Sequence, residues 1–150
     1  MKTRKLTLLF LTMLATIMLG AVAVSVLSPP PTLKLKVKWT PRVYELNNNP
    51  PTWNAEIYFA PPRPLDEIDV TTIQLEGGYT PVSDPYPTVT SRLVVPFDGY
   101  DVLAALMPKL PHMAPGEYRV YLEITGQLID GTPFSGSGGI NVVVPEIPPP

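Results

Sequence analysis

Cysteine is absent from this 150-residue chain. That absence excludes a disulfide scaffold, a thiolate zinc site and a cysteine nucleophile. It leaves the compartment open, because a domain of ordinary size can bury a sufficient core without staples. Histidine occurs once, as His112 in the connection Pro111-His112-Met113-Ala114-Pro115. A lone histidine with no thiol beside it cannot build the usual zinc site. No G-x-S-x-G elbow accompanies it to support a serine hydrolase. Asn-x-Ser/Thr is missing too, so no N-glycan acceptor is offered. No long internal repeat divides the chain. These gaps point away from an enzyme and call for no cofactor and no metal.

Charge is sparse and unevenly placed. Lys2, Arg4 and Lys5 open the chain, and an uncharged apolar run follows from Leu6 to Leu27. Ala21-Val22-Ala23 has the small-x-small form of a signal-peptidase site. The same run is long enough to span a bilayer core of roughly 30 Å. Residues 1–27 therefore read as a signal peptide or as an N-terminal transmembrane anchor, with the membrane a partner through residues 6–27 if uncleaved. In both cases the basic flank favours a cytoplasmic N-terminus and an extracellular or cell-surface location for the rest. From residue 28 onward there are eight basic against thirteen acidic side chains, an excess of five acids. Such a domain lacks the basic footprint of a nucleic-acid binder, so no nucleic acid is expected as partner.

Proline is abundant, at 21 residues, yet 45% of the chain is hydrophobic, which favours a packed domain over disorder. Residues 28–32 form a proline-rich spacer and residues 145–150 a proline-rich tail; the fold is expected over residues 33–144. In Leu33–Trp39 the apolar residues Leu33, Leu35, Val37 and Trp39 alternate with Lys34, Lys36 and Lys38, the pattern of a half-buried strand. Thr52–Phe59 alternates in the same way, and Asn47-Asn48-Asn49-Pro50-Pro51 before it is a turn cluster. Ile73–Leu75 reads as a short strand closed by Gly77-Gly78. Residues 88–97 place Val89, Ser91, Leu93, Val95 and Phe97 on one side. Asp98 is a candidate N-cap for one short crossover helix that Pro108 stops. Gly116–Gly126 is the clearest central strand, with further strands around 127–129, 134–137 and 140–144. Six to eight short strands with frequent turns suggest an all-β sandwich.

The stretch ITGQLIDGTPFSGSGGI, residues 124–140, is dense in glycine. A phosphate loop requires such glycines before a helix N-terminus. Here Asp130-Gly131 is a turn between strand-forming residues, and Gly138-Gly139 leads into a strand, marking a bulge or a close backbone approach.

Three segments occur in order: DEIDVTTIQLEG (66–77), VVPFDGYDVLAAL (94–106) and GEYRVYLEITGQLIDGTPFSGSGGINVV (116–143). Together they resemble an immunoglobulin-like β-sandwich module of prokaryotic secreted and cell-surface proteins, of the kind found beside dockerin or other repeat domains. The resemblance covers roughly residues 33 to 144. It implies a short strand after Ile68-Asp69-Val70, a short helix after the Phe97-Asp98 strand end, and a closing hairpin at Asp130-Gly131-Thr132-Pro133-Phe134. Such modules carry an aspartate-rich calcium-type loop where this chain has Ser83-Asp84-Pro85-Tyr86-Pro87-Thr88. One carboxylate cannot replace the several oxygens calcium requires, so calcium is not carried over.

Aromatic and lysine side chains remain as candidates for recognition. Trp39, Trp53, Phe59, Phe97, Tyr118 and Phe134 fit core positions by alternation. Tyr58 and Tyr121 fall on outer faces, and Tyr79 and Tyr86 lie in proline-bearing loops, where tyrosine can stack on sugars or anchor a protein. The Lys34, Lys36 and Lys38 stripe reads as a guard against edge pairing or as a strand donated to a neighbouring subunit. Asp66, Glu67, Asp69 and Glu76 read as a solvated turn, with Asp69 or Asp66 capping backbone donors. The expected role is a non-catalytic, structural or adhesive module acting through a protein partner or self-assembly. The alternatives are a subunit of an extracellular filament or membrane complex, and a carbohydrate-binding module with a polysaccharide as partner.

Overall fold

The computed structural model describes residues 31–45, 51–88, 91–110 and 114–146. The expected leader or anchor helix, the Asn47–Asn49 turn, His112 and most of the tail lie outside those residues. Among the described residues, no helix is long and apolar enough to cross a membrane. The strands are β1 (Leu33–Thr40), β2 (Val43–Glu45), β3 (Thr52–Phe59), β4 (Ile68–Leu75), β5 (Tyr86–Pro87), β6 (Leu93–Asp98), β7 (Gly116–Leu128) and β8 (Pro133–Val144). One α-helix, α1 (Gly99–Leu106), links β6 to β7 and runs into a 3₁₀ turn at Met107–Lys109. The fold is all-β, as the alternation predicts.

The strands pair in the order β4-β7-β8-β1-β3-β6-β5, with β2 added to β8. β1 belongs to both halves of this curled sheet. It runs antiparallel to β3 from Leu35↔Phe59 to Thr40↔Asn54, and parallel to β8 only at Leu33↔Phe134 and Lys34↔Ser135. β2 then resumes the parallel pairing with β8 at Val43↔Asn141 through Glu45↔Val143. Between these two points β1 crosses the inner face of β8, and the glycines permit the crossing. A Cβ on Gly136 would overlap the Leu35 carbonyl and side chain, and one on Gly138 would sit 2.8 Å from the Val37 carbonyl oxygen and from Trp39. Both distances are far inside contact range, so only a hydrogen fits there.

Alternation fills the enclosed space. Leu35 and Trp39 of β1, Trp53, Ala55, Ile57 and Phe59 of β3, and Leu122 and Ile124 of β7 all point into one core. Tilted and edge-on aromatic pairs run through it: Trp39–Phe97 at 6.1 Å, Tyr44–Trp53 at 5.4 Å and Phe59–Phe134 at 5.7 Å between centroids. Such pairs contribute about 0.5–1.5 kcal/mol each beyond area burial. Asp98 caps α1, accepting the Tyr100 backbone N–H at 2.8 Å, and the helix buries Val102, Ala105 and Leu106 against the strands. Burial raises the pKa of the Tyr44 hydroxyl, with Tyr100 adding a further push. Among the described residues, Tyr44 Oη and the Nε1 atoms of Trp39 and Trp53 are buried without a hydrogen-bond partner.

Several local expectations are corrected. β4 starts at Ile68 rather than Ile73, because its ladder with β7 slips between Asp69↔Gln127 and Gln74↔Thr125 and so hides the alternation. Asp69 Oδ1 accepts from the Thr71 backbone N–H at 3.1 Å and its hydroxyl at 2.6 Å, folding the extra residues into a turn. Residues 88–97 do not form one strand: Ser91 has φ 46° and is exposed, and every residue from Leu93 to Phe97 is buried, leaving no polar face. β7 and β8 are each continuous through their glycines, and their register is unbroken from Gly116↔Val144 to Gln127↔Pro133. Gly138-Gly139 is thus a close approach and not a bulge. Short β2 and β5 were not legible in the alternation. Tyr118, expected in the core, is half-buried at its margin.

The β7–β8 hairpin turns at Ile129–Thr132, with Gly131 at φ 83° and its N–H donated to the Leu128 carbonyl at 2.8 Å. Asp130 Oδ1 accepts the Thr132 backbone N–H at 2.9 Å, which holds its carboxylate below the usual range. A lowered carboxylate pKa stabilises above the unfolded value, and the contribution is lost as pH falls through the folded one. Asp130→Asn should therefore flatten part of the acid-side decline of Tm, measured from neutral pH downward. Gly136→Ala and Gly138→Ala should each lower the unfolding free energy by about 1–3 kcal/mol, as overpacking does. Ser137→Ala, exposed between them, should stay within about 0.5 kcal/mol. Denaturant midpoints compare the three.

Candidate functional site

Where β1 leaves β8, the two strands leave a groove on the outside of the sheet. A first cavity of about 410 Å³ lies among Lys34, Lys36, Tyr58, Glu123, Ser135 and Ser137. A second, of about 350 Å³, continues past Val37 among Lys38, Trp39, Arg42, Arg119, Gly139 and Asn141. The local cause is simple. β1 turns its odd residues inward to the core, so its lysines line the groove, while Ser137 and Gly139 of β8 are too small to fill it. A Cβ on Gly139 would lie 3.0 Å from the Arg119 guanidinium, so glycine here keeps that side chain close against β8.

Electrostatically the groove runs against the rest of the domain. Lys34, Lys36, Lys38, Arg42 and Arg119 are five of the eight cations present after residue 27, in a segment with thirteen acids. Among the described residues, the cations with ion-pair partners are Lys38, Arg63, Arg92 and Lys109. Lys38 lies 3.7 Å from Glu56, which also holds Arg92 at 3.1 Å. Lys34 Nζ donates to Ser135 Oγ at 3.2 Å. Arg119 is positioned by Tyr121: its Nε donates to the tyrosine hydroxyl at 3.2 Å, and its guanidinium carbon lies 5.7 Å from the ring centroid. Arg42 uses only its backbone carbonyl, which accepts the Asn141 N–H at 2.9 Å, and its side chain is exposed.

The structure gathers some of the residues marked in the sequence and separates others. Lys34, Lys36 and Lys38 lie together on the groove, with Tyr58 beside them. β1 pairs with β8 only at Leu33 and Lys34, so Lys36 and Lys38 lie on a stretch laddered to β3 alone. At the ends of the pairing order the edges are interrupted by the slipped register of β4 and by the prolines around two-residue β5. Tyr58 is half-buried, with the Arg92 guanidinium 5.0 Å from its ring centroid. Tyr121 is 53% exposed on the outer face of β7, directly opposite Gly139. Tyr86 is 51% exposed on edge strand β5, not in a loop. Tyr79 is packed against the core and bridges back to Leu75, which removes it from the exposed loop expected for it. Arg42, Arg119 and Asn141 carry no mark in the sequence pattern; the β7–β8 register sets Arg119 opposite Asn141, and the backbone bond from Asn141 to Arg42 at the start of the β2–β8 pairing brings Arg42 beside them. A count of cations over residues 34–42 finds Arg42 but not the other two.

The acidic residues 66–76 hold local structure. Glu67 pairs with Arg63 at 3.2 Å, Glu76 with Lys109 at 2.6 Å, and Asp69 closes its turn. Among the described residues, no group of three or more acidic or histidine side chains is placed to hold a metal ion. Glu56 pairs with two cations, Lys38 of the groove and Arg92 beside Tyr58. Glu56→Gln should cost about 0.5–1 kcal/mol at low salt, shrinking as ionic strength rises, because the pairs are partly exposed. Urea melts at two salt concentrations measure this. Comparison with protein-family models, with curated proteins and with solved structures found no match.

Proposed function

We propose that residues 33–144 form an immunoglobulin-like β-sandwich without catalytic activity, held outside the membrane, with a structural or adhesive role through a protein partner. The observation that carries the reading is the connectivity. One set of strands, β1-β3-β6-β5, follows the A-B-E-D order of an immunoglobulin constant-type sheet, and β4-β7-β8 follows C-F-G. β1 and β2 divide the first strand between the two sets. Tyr118, near the start of β7, donates its hydroxyl to the Ala114 carbonyl at 3.0 Å, the backbone return of a tyrosine corner. With no cysteine to cross-link the sheets, the Trp39, Trp53 and Phe97 aromatics occupy the space between them. The quoted hairpin and the resemblance in the three segments support the same assignment.

The basic N-terminus and uncharged run at 6–27 support an exterior location, secreted or tethered. Fold alone does not assign a role; the adhesive reading draws on exposed Tyr86 and Tyr121, placed on opposite halves of the sheet. Membership of an extracellular complex is the second reading, through the N-terminal segment. Strand exchange is the weaker route to it, since β1 is already laddered to β3 within one chain.

A photo-crosslinking residue placed at Tyr86 or Tyr121, in intact cells, should give a higher-mass adduct from at least one position. Monomer alone from both would reject the adhesive role. Intact mass separates the two exterior states: a chain beginning at Val24 is a free module, and the full-length mass is a tethered one. Tyr118→Phe should cost about 1 kcal/mol of stability, the worth of one hydrogen bond, read from the denaturant midpoint.

A further inference from the structure

We infer that the β1–β8 groove is a binding site for an acidic polysaccharide, a chain bearing carboxylates among hydroxyls. This goes beyond the adhesive role and needs only the groove. Its two cavities share Val37 as a lining residue and so adjoin along β1, and neither is closed. The second cavity is lined by donors: Lys38, Arg42, Arg119 and the Asn141 amide, with no carboxylate among its lining residues. Arginine presents a planar fork of donors that matches a carboxylate bidentately. Arg119 is held in place by Tyr121, which lowers the cost of fixing it on binding.

The companion cavity supplies Lys34, Lys36, Ser137 and Tyr58, groups suited to hydroxyls and a further anion. An acidic peptide is the less suitable occupant, because peptides in grooves rely on apolar anchors or on adding a strand to an open edge. The excess of acids elsewhere on the domain repels a polyanion, so binding is confined to this seam and is steeply salt-dependent. Glu123 is the one carboxylate lining the two cavities, and it opposes the ligand.

The test is a titration of the full-length chain in detergent with alginate at low salt, against neutral dextran and polyglutamate. Alginate should bind, and dextran should not. Arg42→Ala and Arg119→Ala should each weaken alginate binding about tenfold, the worth of a charged hydrogen bond. Glu123→Gln should tighten it about twofold by removing a like charge at the rim. Arg63→Ala, away from the groove and paired with Glu67, should leave it unchanged. Arg42→Ala keeps the backbone bond to Asn141, so an unchanged Tm for that variant separates loss of a ligand contact from loss of fold. Failure of alginate to bind, equal binding of dextran, equal or tighter binding of polyglutamate, or indifference to both arginine variants overturns the inference.

Discussion

The crossing of β1 over Gly136 and Gly138 is the constraint on which the rest of the molecule depends. Two backbones approach there with no room for a side chain on β8. That proximity lets β1 begin in one ladder, beside β8, and finish in another, beside β3. The sheet curls as a result, and its two halves close over the Trp39, Trp53 and Phe97 aromatics. A side chain at either glycine would force β1 outward, which would separate the halves and open the core. The groove is the outer counterpart of the same event, since it lies where β1 has left β8 and β2 has not yet arrived.

Charge is distributed in accord with this geometry. The inward face of β1 is apolar, so the polar face of the same alternation lies at the seam and delivers lysines to it. Arg119 and Tyr121 come from β7, two strands from β1 in the pairing order, because the unbroken β7–β8 register sets Tyr121 opposite Gly139. Missing side-chain bulk at Gly139 is what lets the arginine lie down beside its tyrosine. Glycine therefore serves twice in one strand, inside for the crossing and outside for the cation. Elsewhere acids are spent on turns and caps: Asp69 in the β4 slip, Asp98 at the start of α1, Asp130 in the hairpin.

Much of this was legible residue by residue. Strict alternation in Leu33–Trp39 and Thr52–Phe59 marked β1 and β3 and their buried faces, because a period of two admits only one inward set. Asp98 was readable as a cap and Asp130-Gly131 as a turn, since both depend on neighbours one to three residues away. β4 was half-hidden because three extra residues break its period, and β2 and β5 are too short to show one. Tyr79 looked like a loop residue by its prolines, yet a bridge to Leu75 folds it onto the core.

The sequence by itself determined an all-β domain after an apolar run, which strand faces would be buried, and that its glycine-dense stretch belonged to a hairpin. Those features follow from local backbone preference and from the two-residue period of a strand. Only the tertiary structure decided that β1 would serve two ladders, that Gly136 and Gly138 would face its carbonyls, and that Arg42, Arg119 and Asn141 would meet the lysine stripe. Register and crossing join residues about 80 to 100 positions apart in the chain. No local pattern encodes such a meeting; it arises when the packed core leaves one path for β1.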